Sequence, residues 1–562
     1  MAHNQAQWIS HRITGGWATD FGTTFYGSPD QGELNIPWLT QAENIRFHPD
    51  GSIGKHPGFS TTTVPINAPT ASNGLLGGTR ISAIYSYSRE PITTSTTTTS
   101  LAVVGGFLYN ISSITAPSLI GETGQDAFHP ITFSTFNDLL IQASGFSAPN
   151  SWDGTTFQSL AGTPPSFGFS VSHANRQWAA GNTAAPSRLY YSVSNDPEDW
   201  VGVGSGSIDI DPGDGDGIVA LLSWKSELWV FKGHEKLSIH RISGTTTSDF
   251  VRKIFVTGIS AAGPTSIFPV GDDFAFWSPR GSCHSLTNTA NFGDYSQGYF
   301  NYPILSWCQN SSNILRSAID NLMIQTVTDY KNQISYVVFN NSIQGPLKKY
   351  ESVIGMDWKF RNESNPYPRF FRLTGKSFSS VGMLQAPSEV GQYSPCFGDY
   401  EGIFYKEYLS SSGLYLYSTG VTTTSENIPV RIKTPTLTYG PSVYKKSIFG
   451  IGIDLMSSRG SGNVHFDEPI SVSVGGYGAP AQTFEFDPNQ YARLGTFILT
   501  QDQLGNDRDT PMFREDVTGE ATGFTYTFVS DTDASIPLGQ GDCRFNTFKA
   551  LIAPSGESME IN

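Results

Sequence analysis

The stretch ENIRFHPDGSIGKHPG, residues 43–58, decides the fold of this chain. It begins with polar residues, has turn-forming residues at Asp50-Gly51 and ends at Pro57-Gly58. This arrangement of turn-forming residues is typical of short β-strands joined by tight turns. Much of the sequence that follows has the same alternation of short predicted strands and turns, and these strands are of similar length. Because no residue constellation in it specifies a reaction, we expect a structural or conduit role.

The composition predicts a folded all-β protein. The chain has 562 residues, of which 38% are hydrophobic and 13% aromatic, and its 58 glycines and 33 prolines exclude a helical fold. Only 15% of the residues are charged, and the formal net charge is −15. Since tight binding to a phosphate backbone needs clustered cations, this charge disfavours a protein that grips DNA. It remains compatible with an acidic wall past which DNA slides.

The cysteines and the N-terminus predict neither a disulfide framework nor a membrane segment. Cys283, Cys308, Cys396 and Cys543 are too few and too scattered for a disulfide scaffold, and they lack zinc-site spacing. The first residues lack the basic and apolar regions of a secretory signal. No apolar run reaches the roughly 18 residues of a membrane helix. We therefore expect a protein made in the cytoplasm, without membrane insertion.

A repeated hairpin predicts the blades of a β-propeller. Short apolar strands flank short polar turns at 101–109, 131–141, 167–178, 219–231 and 267–277. Successive turns fall roughly 40–50 residues apart, which is the period of four-stranded blades. An array of β-sandwiches is the alternative that this periodicity leaves open.

The texture of the chain predicts three regions. Residues 1–60 form an N-terminal arm with the first strands, and 61–425 form the propeller, with loop insertions that include a short one near 290–330. Residues 426–562 form a separate all-β region that resembles a β-sandwich. The first and last regions could instead close the ring of blades together.

Two local patterns refine these regions. The segment SSNILRSAIDNLMIQTVTD, residues 311–329, has roughly helical spacing, although 323–327 could equally be a strand. The stretches 430–434, 447–455 and 470–474 alternate as half-buried strands do.

Several motifs invite a chemical interpretation that their spacing does not support. The loop DIDPGDGDG, 209–217, carries many carboxylates but lacks EF-hand spacing, so we interpret it as an inter-blade turn and leave cation binding open. In GHEKLSIH, 233–240, the second histidine stands at i+6 instead of the i+4 of a helical zinc site, and we expect both histidines on the surface. TGKS at 374–377 lacks the leading glycine of a phosphate loop, because position 370 is Phe.

The carboxylates give no persuasive catalytic pair. Asp272 and Asp273 are adjacent in sequence, and adjacent side chains usually diverge, whereas a glycosidase needs two carboxylates that face its substrate. SWDGTTF, 151–157, resembles the Asp-box of sialidase blades, but its adjacent Asp and Gly favour a β-turn with packed aromatics. We therefore predict that the chain is not an enzyme and has no catalytic, cofactor-binding or metal-ligating residues and no cofactor.

Aromatic residues recur near the predicted strand ends, at Tyr190, Tyr191, Trp200, Trp224, Trp229 and Trp277. In a sugar-binding module such side chains could stack on pyranose rings. In a propeller they more often wedge between blades, and we favour this second interpretation.

Three stretches resemble the β-propeller tail hub or nozzle proteins of short-tailed bacteriophages, also called packaged-DNA stabilisation proteins. They are NRQWAAG with SRLYYSVSNDPEDW (175–181 and 187–200), DGDGIVAL with LWVFK (214–221 and 228–232), and the opening 44–58. The family often has Lys-Arg-Pro-Gly at the end of the last motif, where this chain has Lys55-His56-Pro57-Gly58. The resemblance is good over roughly residues 40–290 and thin beyond. The resemblance rests on residues of turns and strands, so it implies the fold and the assembly more firmly than it implies the role of any contact residue.

The resemblance implies a structural virion protein of the phage tail, assembled in the host cytoplasm. Copies of it are expected to form a ring, a hexamer, below the portal and head–tail adaptor. The ring would extend the DNA channel, retain the packaged genome and conduct it without specific binding during ejection. Fibres, spikes or a needle would dock on it. The alternatives are a carbohydrate-binding β-propeller of a tail fibre or cell-surface receptor-binding protein, and a phage depolymerase or glycosidase.

Overall fold

The structure, a computed structural model, describes most of the chain. The described residues are 6–61, 65–69, 78–90, 97–113, 116–124, 131–145, 147–233, 236–287, 289, 299–309, 322–341, 352–361, 366–385, 393–407, 416–418, 425–455, 466–467, 469–476, 479–486, 491–492, 503–504, 512–530, 541–542 and 544–558. His234, Cys543 and most of the predicted insertion near 290–330 lie outside these residues.

The described elements are almost all β-strands. In chain order the strands are β1 (Gln7–Ile13), β2 (Thr24–Phe25), β3 (Glu33–Ile36), β4 (Gln41–Glu43), β5 (Ile45–Phe47), β6 (Ile53–Lys55), β7 (Phe59–Thr61), β8 (Ile81–Arg89), β9 (Thr97–Val104), β10 (Phe107–Asn110), β11 (Ser118–Glu122), β12 (Thr132–Phe136), β13 (Leu139–Ala143), β14 (Asn150–Trp152), β15 (Phe157–Ser159), β16 (Phe169–His173), β17 (Arg176–Ala180), β18 (Arg188–Tyr191), β19 (Gly206–Asp209), β20 (Ile218–Trp224), β21 (Glu227–Lys232), β22 (Ser238–Ser243), β23 (Val251–Thr257), β24 (Ile267–Val270), β25 (Asp273–Trp277), β26 (Cys283–Ser285), β27 (Leu322–Asp329), β28 (Ile334–Asn341), β29 (Ser352–Asp357), β30 (Arg369–Thr374), β31 (Phe378–Gln385), β32 (Tyr393–Asp399), β33 (Phe404–Glu407), β34 (Leu416–Ser418), β35 (Ser425–Asn427), β36 (Val430–Lys433), β37 (Thr436–Leu437), β38 (Tyr444–Leu455), β39 (Phe466–Asp467), β40 (Ile470–Gly476), β41 (Ala479–Phe486), β42 (Tyr491–Ala492), β43 (Gln503–Leu504), β44 (Met512–Ala521), β45 (Phe524–Ser530), β46 (Gly541–Asp542) and β47 (Arg544–Ser558). The helical elements are two 3-10 helices, Pro264–Ser266 and Tyr302–Ile304, and the short α-helix α1 (Leu305–Gln309).

The chain divides into two units that are not contiguous in sequence. Unit 1 comprises Met1–Ser60, Ile354–Gly375 and Glu407–Asn562, and unit 2 comprises Thr61–Val353 and Lys376–Lys406. The sequence places divisions at 60 and 425, and the two units meet along the chain after residues 60, 353, 375 and 406. Residues 354–375 and 407–425 lie with unit 1, and their β-like composition gives no sign of this.

Unit 2 is a β-propeller whose described strands form seven blades. The first strands of successive blades pack side by side, with the turn Pro264–Ser266 making the contact between β20 and the fifth blade, and β31 of the last blade packs against β8 of the first. Strands within 378–406 therefore close the ring, while 426–562 belongs to unit 1. The propeller prediction is confirmed, and the sandwich array is excluded. The blades are β8–β11, β12–β15, β16–β19, β20–β23, β24–β26, β27–β28 and β31–β33.

The predicted hairpin turns are confirmed. Gly105-Gly106, Asn137-Asp138, Ala174-Asn175 and Lys225-Ser226 all have positive φ at both positions, between 47° and 86°. A two-residue turn of this kind has the twist that matches two antiparallel strands. Each turn therefore fixes the register of the two strands that it joins.

Of the two interpretations of 311–329, the strand over 323–327 is confirmed and the helix is wrong for the described part. Leu322–Asp329 is the strand β27, which pairs with β28 from Leu322 opposite Asn341 to Asp329 opposite Ile334. β-Branched residues fill most of the middle of β27, and pairing with the apolar β28 outweighs the weak helical spacing. Residues 310–321 lie outside the described residues.

Unit 1 is a two-sheet sandwich, as predicted for the C-terminal region. One sheet has the order β3-β1-β47-β38-β44 with β5 and β6 beside it, and the other has β2-β37-β45-β36-β4-β30 with β40 and β41. Phe528 of the second sheet packs on Phe545 and Phe548 of the first, with ring centroids 5.1 Å apart in both pairs. The N-terminal strands are part of this sandwich, because β1 pairs with β47 and β4 with β36.

Candidate functional site

Asn44 anchors the signature segment, as we call residues 43–58. It is fully buried and has a left-handed backbone with φ +55°. Its side-chain amide donates to the carbonyl of Pro429 (2.8 Å) and to Thr374 Oγ1 (3.2 Å). Its side-chain oxygen accepts from the amide of Thr374 (2.8 Å). One asparagine thus joins three distant parts of the unit 1 sequence.

Asn44→Gly should lower the free energy of unfolding of unit 1 by about 2–3 kcal/mol. Glycine accommodates the left-handed backbone, so the decrease in the free energy of unfolding reports the loss of the three buried side-chain hydrogen bonds. Urea unfolding followed by tryptophan fluorescence measures it. Asn137→Gly is the matched control, since Asn137 is also left-handed (φ +48°) but exposed. Equal losses in the two variants would contradict the role assigned to Asn44.

A cluster of cations and aromatic rings packs beneath the signature segment. The Arg369 guanidinium lies 3.7 Å from the ring centroid of Phe360 and 5.3 Å from that of Phe47. Lys359 Nζ donates to the carbonyl of Phe47 (3.1 Å) and lies 3.2 Å from Asp357 Oδ2. Burial lowers the pKa of Arg369 to about 10 and raises that of Asp357. These charges stabilise a core, where cation–π contact offsets part of their desolvation.

The predicted turn at Asp50-Gly51 is present and is tied to the last strand. Asp50 Oδ1 accepts from the amide (3.0 Å) and the hydroxyl (2.6 Å) of Ser52, and Gly51 has φ +86°. Arg544 of β47 donates to Ser52 Oγ (2.7 Å) and to the Asp50 carboxylate. The signature segment therefore connects strands of the sandwich, and its polar groups stabilise the fold.

The acidic loop 209–217 binds a cation that the chain itself supplies. Lys232 of β21 has a fully buried side chain, and its ammonium donates to the carbonyl of Asp211 (2.6 Å) and to Asp214 Oδ2 (2.7 Å). Burial acts to raise the pKa of Asp214, but the hydrogen bonds from Lys232 and from the amide of Asp216, together with the charge of Lys232, outweigh it and lower that pKa. The loop connects β19 to β20, which makes it the inter-blade turn predicted from the sequence.

The other carboxylates of this loop are also engaged. Arg188 donates two hydrogen bonds to Asp209, at 2.7 and 2.9 Å, and Arg252 donates to Asp211 Oδ1 at 2.7 Å. These bonds lower the pKa of both carboxyl groups. Asp216 accepts from the amide of Lys236 (2.5 Å). The clustered negative charge is thus compensated inside blades three and four.

His240 is buried, so the surface position predicted for it is wrong. It lies on β22 with Nε2 3.0 Å from Ser238 Oγ and 3.6 Å from Asp211 Oδ2. Burial lowers the pKa of the imidazole. The alternation of the strand identifies its face, but it cannot reveal that the acidic loop covers that face.

The remaining carboxylates that invited a catalytic interpretation hold turns and strands. Asp273 accepts from the Ser285 hydroxyl and from Thr287 Oγ1 (2.8 Å), which fixes β26 to β25. Asp153 accepts from the amides of Thr156 (2.7 Å) and Thr155 (2.8 Å), and these bonds lower its pKa to about 2. The Trp-Asp-Gly stretch is the β-turn predicted for it.

Aromatic side chains wedge between the blades, as predicted. Trp277 is fully buried, Trp229 and Trp200 are almost so, and these rings lie inside the propeller. An aromatic pair with centroids 5.0–5.9 Å apart joins nearly every two neighbouring blades: Tyr85 with Phe133, Trp178 with Phe250, Trp224 with Phe274, Trp277 with Phe339, and Tyr336 with Phe397.

Hydroxyl and amide groups add a second connection between the blades. Ser134 and Ser170 lie 2.7 Å apart across blades two and three, and His173 Nδ1 lies 2.9 Å from Ser223 Oγ across blades three and four. Gln325 of blade six donates to the carbonyl of Ser82 (2.8 Å) and accepts from the amide of Val381 (3.0 Å). It thereby links blades one, six and seven. No sequence pattern singles out Gln325, since it is one of several polar residues in β27.

A cleft in unit 1 measures about 270 Å³. The Arg372 guanidinium in its wall lies 3.5 Å from Glu43 Oε1 and 5.3 Å from the ring centroid of Trp17. Arg372 and Glu43 are therefore engaged with each other. The lining residues are Trp17, Thr40, Gln41, Ala42, Glu43, Arg372 and Lys433.

Cysteines and other metal-ligating groups form no site in the described ranges. Cys283, Cys308 and Cys396 are buried free thiols, and burial raises the pKa of Cys396 to about 12. Across those ranges, no three His, Cys, Asp or Glu side chains come together to hold a metal ion. The helices of the described chain are all too short to cross a membrane.

Comparisons with known proteins find only distant structural likeness. No family model and no curated protein matches the chain. Among solved structures, YCF48 bound to the D1 peptide is 7% identical with a TM-score of 0.38, covering 66% of this chain and 99% of that one. The designed protein Ika8 is 10% identical (TM-score 0.32, 62% and 100% covered), and BBS1N in complex with ARL6DN is 12% identical (TM-score 0.36, 63% and 98% covered). Similarity at this level carries no argument about function.

Proposed function

We propose that this chain is a structural, non-enzymatic subunit of the tail of a short-tailed bacteriophage. Copies of it would form a ring, expected to be a hexamer, that continues the portal and adaptor channel. The ring would retain the packaged DNA, conduct it during ejection and provide docking for fibres or spikes. The observation that carries the proposal is that the family-like stretches, 175–181 with 187–200 and 214–221 with 228–232, supply two of the four strands in each of two adjacent, interlocked blades.

The use of the polar side chains supports a structural role. The carboxylates of the acidic loop, Asp153 and Asp273 all hold elements of the fold, as described above. Aromatic and hydroxyl contacts stiffen the joints between blades. A ring of blades that closes on itself suits a virion part that must resist edge-to-edge aggregation.

The charge of the chain supports passage of DNA without capture. A net charge of −15 repels a polyanion, whereas retention by contact would need exposed clusters of Lys and Arg. We propose that acidic surface lines the channel of the assembled ring.

Electron microscopy tests the proposal directly. The purified chain should assemble into rings of cyclic symmetry, and virions labelled with an antibody against it should carry the label on the tail axis below the portal. Particle images without a ring of this chain on that axis would remove the proposal.

Glycan-array binding tests the alternative of a carbohydrate-binding propeller. Trp200, Trp229 and Trp277 are buried and cannot stack on a sugar. Trp224 is half-buried and carries the Lys225 ammonium 4.1 Å from its ring centroid. Binding that Trp224→Ala abolishes would favour this alternative, and polysaccharide cleavage by the purified chain would favour an enzyme.

A further inference from the structure

The cleft in unit 1 opens on the outer face of the second sheet. Strand β4 lies between β30 and β36 there, with Glu43 opposite Arg372 and Gln41 opposite Lys433. Ala42, between the two β4 residues, is fully buried in the sandwich. Because successive side chains of a strand point to opposite faces, the four polar side chains share the face turned away from the interior.

Cations outnumber carboxylates on this part of the sheet. Arg372 and Lys433 line the cleft, where Glu43 is the lining carboxylate. Arg431 stands opposite Glu43 on β36, and both Arg431 and Lys433 are exposed. Arg372 Nη1 lies 3.5 Å from Glu43 Oε1, but among the described residues no carboxylate lies within ion-pairing distance of Lys433. In a chain of net charge −15, this is a local excess of positive charge that suits an anion.

The walls of the cleft are held by backbone and buried contacts. The Thr40 amide donates to the carbonyl of Lys433 (2.9 Å), and Thr40 Oγ1 donates to the same carbonyl (3.2 Å). Trp17 is only 4% exposed, and its amide donates to the carbonyl of Phe370 (2.7 Å). The Arg372 guanidinium lies 5.3 Å from the Trp17 ring centroid. A ligand therefore need not order these walls, which favours binding.

The mixture of donors and acceptors narrows the class of anion. A phosphate group carries about 1.5 to 2 negative charges at pH 7 and offers mainly acceptors, so the Glu43 carboxylate disfavours it. A ligand with one carboxylate and several hydroxyls uses every group. Its carboxylate accepts from Arg372 and Lys433, and its hydroxyls donate to Glu43 and to the side-chain oxygen of Gln41. The 270 Å³ of the cleft lies just below the roughly 300–1,000 Å³ of pockets for drug-sized ligands, which suits a single ring.

We propose that the cleft binds a uronate, a sugar ring that carries one carboxylate. The carboxylate lies against Lys433 and Arg372, and the ring hydroxyls lie against Glu43 and Gln41. This site goes beyond the conduit role proposed above and does not rest on it. It also differs from a carbohydrate-binding propeller, because all of its residues belong to the sandwich of unit 1. Two charged contacts to one small ring give a weak complex, with a Kd on the order of 1 mM.

Saturation-transfer NMR with D-glucuronate and D-galacturonate tests the site on the full chain. At least one of the two should bind, and Lys433→Met should weaken its affinity about tenfold, since one charge-assisted contact is lost. Lys549→Met is the matched control, because Lys549 lies on β47 in the first sheet, and this variant should bind as the wild type does. Urea unfolding checks that both variants are folded. Absence of binding by both sugars, or equal effects of the two substitutions, would overturn the proposal.

Competition tests the class of ligand. D-Glucose lacks the carboxylate and should not displace the bound uronate, and inorganic phosphate should displace it less effectively than unlabelled uronate does. Displacement by glucose, or equal displacement by phosphate, would show that the cleft does not recognise a uronate. Rings on the virion without uronate binding would remove this site and leave the proposed function standing. Uronate binding that depends on Lys433, in a chain that forms no ring, would do the reverse.

Discussion

Lys232→Met lowers the free energy of unfolding of unit 2 by about 3 kcal/mol, the lower end of the cost of breaking a buried ion pair. The substitution keeps the apolar stem but removes the ammonium from Asp214 and from the carbonyl of Asp211. The acidic loop then keeps its carboxylates without their internal cation, and these repel one another. Urea unfolding of the purified variant, followed by tryptophan fluorescence, measures the loss.

Lys253→Met is the matched control for this prediction. Lys253 lies on β23 of the same blade but is exposed, so its loss should change the free energy of unfolding by less than about 0.5 kcal/mol. Similar effects of the two substitutions would show that Lys232 is not the organising cation of the loop.

Acid should unfold the protein because it holds several imidazoles buried and neutral. Burial lowers the pKa of His11, His56 and His284 from 6.5 to about 3 and contributes most to lowering that of His48 to about 4. Below pH 6.5 the unfolded chain binds protons at these groups that the folded chain does not bind. The free energy of unfolding therefore falls as the pH drops from 6.5 towards 3, by up to about 5 kcal/mol per pH unit for four groups.

Asp399 acts against this trend but does not cancel it. Burial raises its pKa from 3.8 to about 6, so the folded state binds a proton there between pH 6 and 3.8, which adds stability as the pH falls. One such group offsets about 1.4 kcal/mol per pH unit. The net change over this range remains a loss. Chemical denaturation at a series of pH values from 7.5 downward measures it.

The contribution of a buried histidine to the pH dependence of stability can be tested at His11. Its Nε2 lies 2.8 Å from the hydroxyl of Tyr439, which lies 2.7 Å from that of Tyr526. His11→Phe should reduce the slope of the unfolding free energy against pH by about 1.4 kcal/mol per pH unit. Tyr439→Phe removes the same hydrogen bond but keeps the imidazole, so its slope should stay steep. Identical slopes in the two variants would contradict the assignment to His11.

Local chemistry made the blades predictable. Turns such as Asn137-Asp138 and Lys225-Ser226 are set by two adjacent residues between alternating apolar strands, and the structure has them where the sequence indicated. The acidic loop was identified as a turn for the same reason. Its internal cation was not, because Lys232 lies on a strand whose pattern gives no hint that an acidic loop covers the ammonium.

Features that depend on distant segments could not be predicted. The role of Asn44 depends on Thr374 and Pro429, more than 300 residues away along the chain, and Gln325 depends on Ser82 and Val381. The same limit explains His240, which the inter-blade loop 209–217 covers, and the assignment of 354–375 to unit 1. Such contacts between distant residues become visible only in the completed fold and leave no local pattern in a single sequence.

Both units are closed by strands that are synthesised late. The ring needs β31, which ends at Gln385, to reach β8, and the sandwich needs β47 to pair with β1 along Gln7–Arg12. A nascent polypeptide therefore lacks the closing strand of each unit until that strand has left the ribosome, and until β31 emerges the early blades cannot close into a ring. Such long-range closure slows folding. A cell that makes this chain in quantity would have to prevent the unpaired early strands of different nascent chains from associating until the closing strands have been synthesised.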